Sequence, residues 1–153
     1  MRILMVCLGN ICRSPMAEGI LKSKVKDKGL DWEVDSAGTG AWHIGELPDP
    51  RSIAESSKQG IDITDQRARQ FDSRDFDDFD LILAMDSTNL SNIQRLAPKK
   101  GKEGKVVMIM DFVQPDGHVN VPDPYWDDDG FNKVFRMLDE ACERLIEKYK
   151  GVS

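Results

Sequence analysis

Three short runs in this chain are apolar from end to end: residues 3–7 (Ile-Leu-Met-Val-Cys), 81–85 (Leu-Ile-Leu-Ala-Met) and 106–110 (Val-Val-Met-Ile-Met). A strand with one wet face alternates apolar and polar residues. A run without alternation belongs to a strand buried on both faces, as in a parallel sheet. A further strand is expected at residues 33–36, ending at Ala-Gly-Thr-Gly. Stretches of helical spacing separate these runs. Ser14 offers an N-cap with Pro15 at the first helical position, and Met16, Ala17, Ile20, Leu21 and Val25 continue to about Lys28. Asp49-Pro50 opens a helix over 51–59 that stops at Gly60, and residues 87–96 form another. Phe131, Val134, Phe135, Leu138, Ala141, Cys142, Leu145, Ile146 and Tyr149 make one apolar stripe on the last helix. This alternation specifies an α/β fold: parallel strands joined by right-handed crossovers, with helices on both faces. At 153 residues the chain is about one domain long, and no repeat or linker divides it, so 1–153 is expected to be a single domain.

In such sheets ligands bind beyond the carboxyl ends of the strands, where loops meet helix N-termini. The first such loop is Cys7-Leu8-Gly9-Asn10-Ile11-Cys12-Arg13-Ser14. A tight loop feeding a helix turns successive backbone N–H groups inward, and the helix dipole adds positive potential. Arg13 can grip two phosphate oxygens with its planar fork. Cys7 at the mouth of this nest has its thiolate stabilised by the same donors. Thiolate, amides and guanidinium together suit in-line attack on phosphorus. Gly9 supplies backbone freedom for the curvature. Asn10 can pin the loop, and the Ser14 hydroxyl can donate to the thiolate.

A net charge of -6 argues against broad nucleic-acid or anionic-membrane binding, both of which need a basic face. Three cysteines (Cys7, Cys12, Cys142) are too few and odd in number for a disulfide framework. No run approaches the ~20 apolar residues of a membrane span, and the expected setting is the reducing cytoplasm. Only His43 and His118 are available as imidazole ligands, and the spacing of Cys7 and Cys12 is wrong for a zinc hook.

The loop from Cys7 to Ser14 followed by Pro15, with Asp123-Pro124-Tyr125 far downstream, resembles the low-molecular-weight protein tyrosine phosphatase family. The likeness extends over essentially the whole chain in length, element order and motif order. It implies a four-stranded parallel sheet flanked by helices in three layers, a phosphocysteine intermediate and no metal or other cofactor. Asp123, its backbone fixed by Pro122 and Pro124, would protonate the tyrosine oxygen and then activate water. Considered without the family, a turn aspartate among prolines is the lesser alternative. Asp127, Asp128 and Asp129 are rivals by proximity, though three adjacent acids more often make a solvated helix start. Tyr125 and Trp126 would wall a slot for an aromatic ring, and Trp42, with His43 beside it, matches the other wall; core or surface roles stay open for Trp42 and Tyr125. Ser36 matches a serine that buttresses the loop through Asn10. Gln66 stands near a position where the family often has a histidine. Asp86 would either orient Arg13 or cap the next helix. Cys12 is a candidate redox partner that would protect Cys7 as a reversible disulfide, whereas Cys142, on the apolar stripe, reads as inert core.

Three rivals follow from the same residues. An arsenate reductase of this fold needs relay cysteines around the third strand, and residues 81–96 contain none. A protein arginine phosphatase would carry Thr where this chain has Ile11. A catalytically silent phosphate-binding module would lose Cys7 or Asp123. The expected partners are therefore phosphotyrosine proteins or small aryl phosphates, with no nucleic acid and no membrane insertion. The chain itself is expected to be a monomer or weak homodimer. The basic stretch 99–105 reads as a solvated connector.

Overall fold

The computed structural model describes residues 1–97, 105–117 and 119–151. Strands β1 (Arg2–Cys7), β2 (Glu33–Gly38), β3 (Leu81–Ala84) and β4 (Val106–Met108) form one parallel sheet in the order β2-β1-β3-β4. The helices are α1 (Arg13–Asp27), α2 (Pro50–Lys58), a single turn α3 (Asp75–Asp78), α4 (Ser87–Arg95) and α5 (Gly130–Tyr149).

The unbroken apolar run of β1 has a direct cause. Ile3, Met5 and Cys7 face a core shared with α1 and α5, while Leu4 and Val6 face a second core built on Phe71, Phe76, Phe79 and Ile93. The result is the expected three-layer sandwich, with α1, α2 and α5 on one face and α3 and α4 on the other. Among the described residues, no helix is long and apolar enough to cross a membrane.

Four local expectations need correction. Ser14 is not the N-cap of α1: the helix starts at Arg13, Cys12 occupies the cap position, and no side chain caps it. The Ser14 hydroxyl is taken up instead by Cys7 and Asn10, as described below. The third strand ends at Ala84, one residue short of the apolar run, because the chain turns there toward the Asp86 cap. The fourth ends at Met108, and Ile109–Phe112 tightens into a 3-10 turn whose Ile109 and Met110 still reach the core. The fourth correction concerns the curvature of the loop and is taken up with the site.

Of the basic stretch 99–105 only Lys105 is described, with Nζ donating to the carbonyls of Phe76 and Phe79 at 2.7 and 3.2 Å. The rest of that stretch, and His118, lie outside the described residues.

The sheet order reverses direction at β1. The chain leaves β1 for β2 on one side and returns to β3 on the other. The crevice at such a switch point is where open α/β sheets bind ligands. Its rim is formed by Cys7 at the end of β1 and by Asp86 just beyond β3.

Candidate active site

The loop between β1 and α1 wraps around the Cys7 sulfur. Asn10 N–H donates to Cys7 Sγ at 3.3 Å, and Ser14 Oγ lies 3.0 Å from the same atom. Among the described residues, the amides of Gly9, Ile11 and Cys12 find no protein acceptor. They remain available to an anion at the N-terminus of α1.

The residue that turns the loop is Asn10, at φ +57°, and not Gly9 as the sequence suggests. Asparagine tolerates this left-handed region better than most residues, and here its side chain is anchored on three sides. Its Nδ2 donates to Ser14 Oγ at 2.8 Å and to Ser36 Oγ at 2.9 Å, and its Oδ1 accepts from Arg69 N–H at 3.0 Å. Gly9 matters for space instead: a Cβ there would meet His43 Cδ2 at 3.1 Å, so the imidazole would have to give by a few tenths of an ångström.

Behind Ser36 stands Glu18, buried on α1. Ser36 Oγ donates to Glu18 Oε1 at 2.6 Å, and Lys22 Nζ meets Oε2 at 2.6 Å. Burial raises the carboxyl's pKa against the lowering pull of Lys22 and Ser36. Gln66 supports the loop from another direction, with Nε2 donating to the Pro15 carbonyl at 3.0 Å while its buried Oε1 has no protein partner.

Arg13 is 3% exposed. Its Nη1 donates to Asp86 Oδ2 at 2.6 Å and to the Val121 carbonyl at 2.9 Å. Among the described residues, Nε and Nη2 make no hydrogen bond, which leaves one edge of the fork for two oxygens of an anion. Burial pulls the Arg13 pKa down, but Cys7 and the Asp86 hydrogen bond outweigh it and raise it further. Asp86 fills both roles suggested for it. Its Oδ2 holds Arg13 while its Oδ1 accepts from Asn89 N–H at 2.7 Å and caps α4.

Asp123 approaches from above. Its Oδ1 accepts from Tyr125 N–H at 3.1 Å, capping the short turn Pro124–Trp126, and its Oδ2 lies 3.9 Å from Arg13 Nη2. The segment is tied down by Val121 N–H donating to the Met85 carbonyl at 2.9 Å. Asp127, Asp128 and Asp129 do not line the cleft. Asp128 pairs with Arg51 at 2.5 Å, and Asp127 accepts from Asp129 N–H.

These groups share one cleft of about 280 Å³. Cys7, Gly9, Cys12 and Arg13 lie at its floor, and Leu8 and Ile11 flank them. Trp42, His43, Tyr125, Trp126 and Asp123 also line it. The rings of Tyr125 and Trp126 meet edge to face at 4.8 Å, and Arg51 lies 5.5 Å from the Tyr125 centroid. Burial, with Asp49 and Cys7 nearby, pushes the Cys12 thiol up to about 12. Cys142 is fully buried, its thiol likewise pushed up to about 12 by burial. Among the described residues, no cluster of His, Cys, Asp or Glu is arranged to hold a metal ion.

Four supporting residues were not apparent from the sequence. Glu18 looks like half of a solvated Glu–Lys pair, and nothing local signals its burial. Gly38 is needed because a Cβ would meet Leu8 O at 2.8 Å and Asn10 N at 3.0 Å. Arg69 and Val121 act through backbone atoms, which leave no mark in side-chain identity. Only the glycine carried a signal, as part of Ala-Gly-Thr-Gly at a strand end.

Comparison with known proteins gives the same picture. A family model described as low molecular weight phosphotyrosine protein phosphatase matches residues 2–151. The chain is 42% identical over 150 residues to the low molecular weight phosphotyrosine protein phosphatase of Schizosaccharomyces pombe, covering 95% of each chain. The crystal structure of YfkJ from Bacillus subtilis superposes with a TM-score of 0.91 at 37% identity, over 99% of this chain and 95% of that one. A Drosophila arginine phosphatase superposes with a TM-score of 0.92 at 35% identity, over 100% of both. With a match that runs from the first strand to the end of the last helix, the chain belongs to the low molecular weight phosphotyrosine protein phosphatase family.

Proposed function

We propose that this chain hydrolyses phosphotyrosine monoesters with Cys7 as nucleophile, Arg13 and the loop amides as phosphate ligands, and Asp123 as general acid and base. The reading is supported above all by the convergence of Cys7, Arg13 and Asp123 on one cleft between aromatic walls. The Cys7 thiolate attacks phosphorus in line and forms an S–P bond as the P–O bond to tyrosine breaks. Asp123 delivers its proton to the departing phenolate oxygen. Asp123 then takes a proton from water, the resulting hydroxyl attacks phosphorus, and the S–P bond breaks to return the thiolate and release phosphate. The free edge of the Arg13 fork and the amides of Gly9, Ile11 and Cys12 face the equatorial oxygens, where charge accumulates.

Substrate class turns on the leaving group. Ile11, Tyr125, Trp126 and Trp42 all line the cleft, and such an apolar, aromatic lining favours an aromatic ester over a guanidinium. The test is hydrolysis of a phosphotyrosine peptide beside a phosphoarginine peptide. Turnover of the first, at least ~10-fold above the second, is expected. Preference for phosphoarginine would keep the mechanism and overturn the role given to Ile11. Binding of phosphate without turnover of either would make the chain a silent phosphate-binding module.

Cys12 is assigned the redox role. Its thiol, held protonated by burial, is poorly placed to react first with peroxide, but it can resolve a sulfenic acid formed on Cys7. Peroxide followed by peptide mapping is expected to give a Cys7–Cys12 disulfide that thiols reverse. Sulfinic acid on Cys7 as the main product would remove this role.

A further inference from the structure

A second groove lies on the far side of Trp42 from the catalytic cleft. It encloses about 380 Å³ and shares Leu8 and Trp42 with the cleft as common walls. Its floor is the backbone of Thr39 and Gly40, and its outer wall is the end of α4. The floor is rigidly coupled to the phosphate loop: Thr39 N–H donates to the Cys7 carbonyl at 3.0 Å and Gly40 N–H to the Leu8 carbonyl at 2.9 Å. Trp42 is seated directly on this floor, since a Cβ on Gly40 would fall 2.0 Å from the indole. The indole therefore stands as a ridge between two depressions.

The chemistry of the groove is uneven. Leu8, Trp42 and Leu96 are 39, 71 and 46% exposed, so an apolar surface lies open to water. Among the described residues, Arg95 is the one charged residue lining the groove and no acid lines it, although the chain carries a net charge of -6. Among the described residues, the Arg95 guanidinium bonds only to Asn92 Oδ1 and has no carboxylate partner.

We propose that this groove receives the residues flanking the phosphotyrosine of a polypeptide substrate, with an apolar side chain against Leu96 and Trp42 and an acidic side chain at Arg95. The proposal rests on the phosphotyrosine reading of the neighbouring cleft. Continuity of the two depressions argues for a single occupant. A peptide whose ring fills the cleft must pass its backbone over the rim, and an extended chain advances about 3.3–3.6 Å per residue. The second or third neighbour of the phosphotyrosine therefore arrives beyond the ridge. Burying part of a leucine and forming one exposed ion pair together correspond to about a tenfold preference.

The experiment compares kcat/KM for four substrates: phenyl phosphate, a phosphotyrosine peptide with Leu and Glu within three residues on both sides, the same peptide with Ala at those positions, and one with Lys in place of Glu. The wild-type protein should favour the Leu/Glu peptide over the Ala peptide by about tenfold. Leu96→Asp should remove most of that preference. Arg95→Glu should reverse the charge preference, so that a Leu/Lys peptide becomes the better substrate. Phenyl phosphate, which cannot span the ridge, should be hydrolysed equally by all three proteins. Equal use of the Leu/Glu and Ala peptides by the wild type, or variant losses shared by phenyl phosphate, would overturn the groove assignment. Failure of the wild type on every substrate would instead overturn the phosphatase reading beneath it.

Discussion

Cys7→Ser should lower turnover of a phosphotyrosine peptide by on the order of 10⁵-fold while leaving phosphate binding nearly intact. Serine keeps a hydrogen-bonding atom near Ser14 Oγ and Asn10 N, but its hydroxyl is not an anion and is a poor nucleophile without a base beside it. The groups proposed to bind phosphate are separate from the sulfur. The Arg13 fork is held by Asp86 and Val121, and Asn10 by Ser14, Ser36 and Arg69, none of which needs the sulfur. Single-turnover kinetics beside calorimetry with inorganic phosphate would separate the two properties. Residual activity within tenfold of wild type would exclude Cys7 as nucleophile. Loss of phosphate binding together with turnover would mean that the sulfur holds the loop together.

Asp123→Ala should slow release of the tyrosine by about 10²–10⁴-fold, the usual worth of a positioned general acid. The loss should shrink for an aryl phosphate whose phenol is strongly acidic, because that leaving group departs without a proton. The rate to compare is the first burst of phenol, since the proposed mechanism also uses Asp123 in the later hydrolysis of phosphocysteine. Removing the carboxylate also removes the cap on Tyr125 N–H, worth about 1 kcal/mol. Asp123→Asn keeps a capping oxygen and is the cleaner companion: it should show the same kinetic defect with less loss of stability. Equal burst losses for both leaving groups would take Asp123 out of the acid role.

Much of this architecture can be read in the amino acids alone. Strand β1 and the stripe of α5 are legible because burial on two faces, or on one helical face, leaves a simple periodic trace. The loop is legible because its chemistry is carried by side chains in sequence order. The single turn α3 is not, since its Asp-Phe-Asp-Asp reads as a polar connector and becomes helical only as Phe76 is drawn into the core. The start of α1 is misread for a functional reason. A serine before a proline signals a cap, but Ser14 is diverted to the sulfur, and the helix begins without one. Glu18 escapes notice because α1 is buried on nearly all sides in its first turns, so its sequence has no clean apolar stripe against which a buried acid would stand out.

That buried acid fixes the orientation of the hydrogens behind the loop. Arg69 N–H can only donate, so the Asn10 atom facing it is the amide oxygen, and both amide hydrogens go to Ser36 and Ser14. Ser36 Oγ donates to Glu18 Oε1, whose other oxygen is paired with Lys22, so the Ser36 hydrogen points away from Asn10 and toward the acid. Ser14 already receives a hydrogen from Asn10, and its own is therefore free to point at Cys7 Sγ. With Cys7 as the thiolate that the proposed mechanism needs, the chain of polar groups has one proton-ordered arrangement, with its final hydrogen aimed at the sulfur. On the proposed mechanism, no hydroxyl has to rotate to meet the negative charge that returns to Cys7 when the S–P bond breaks.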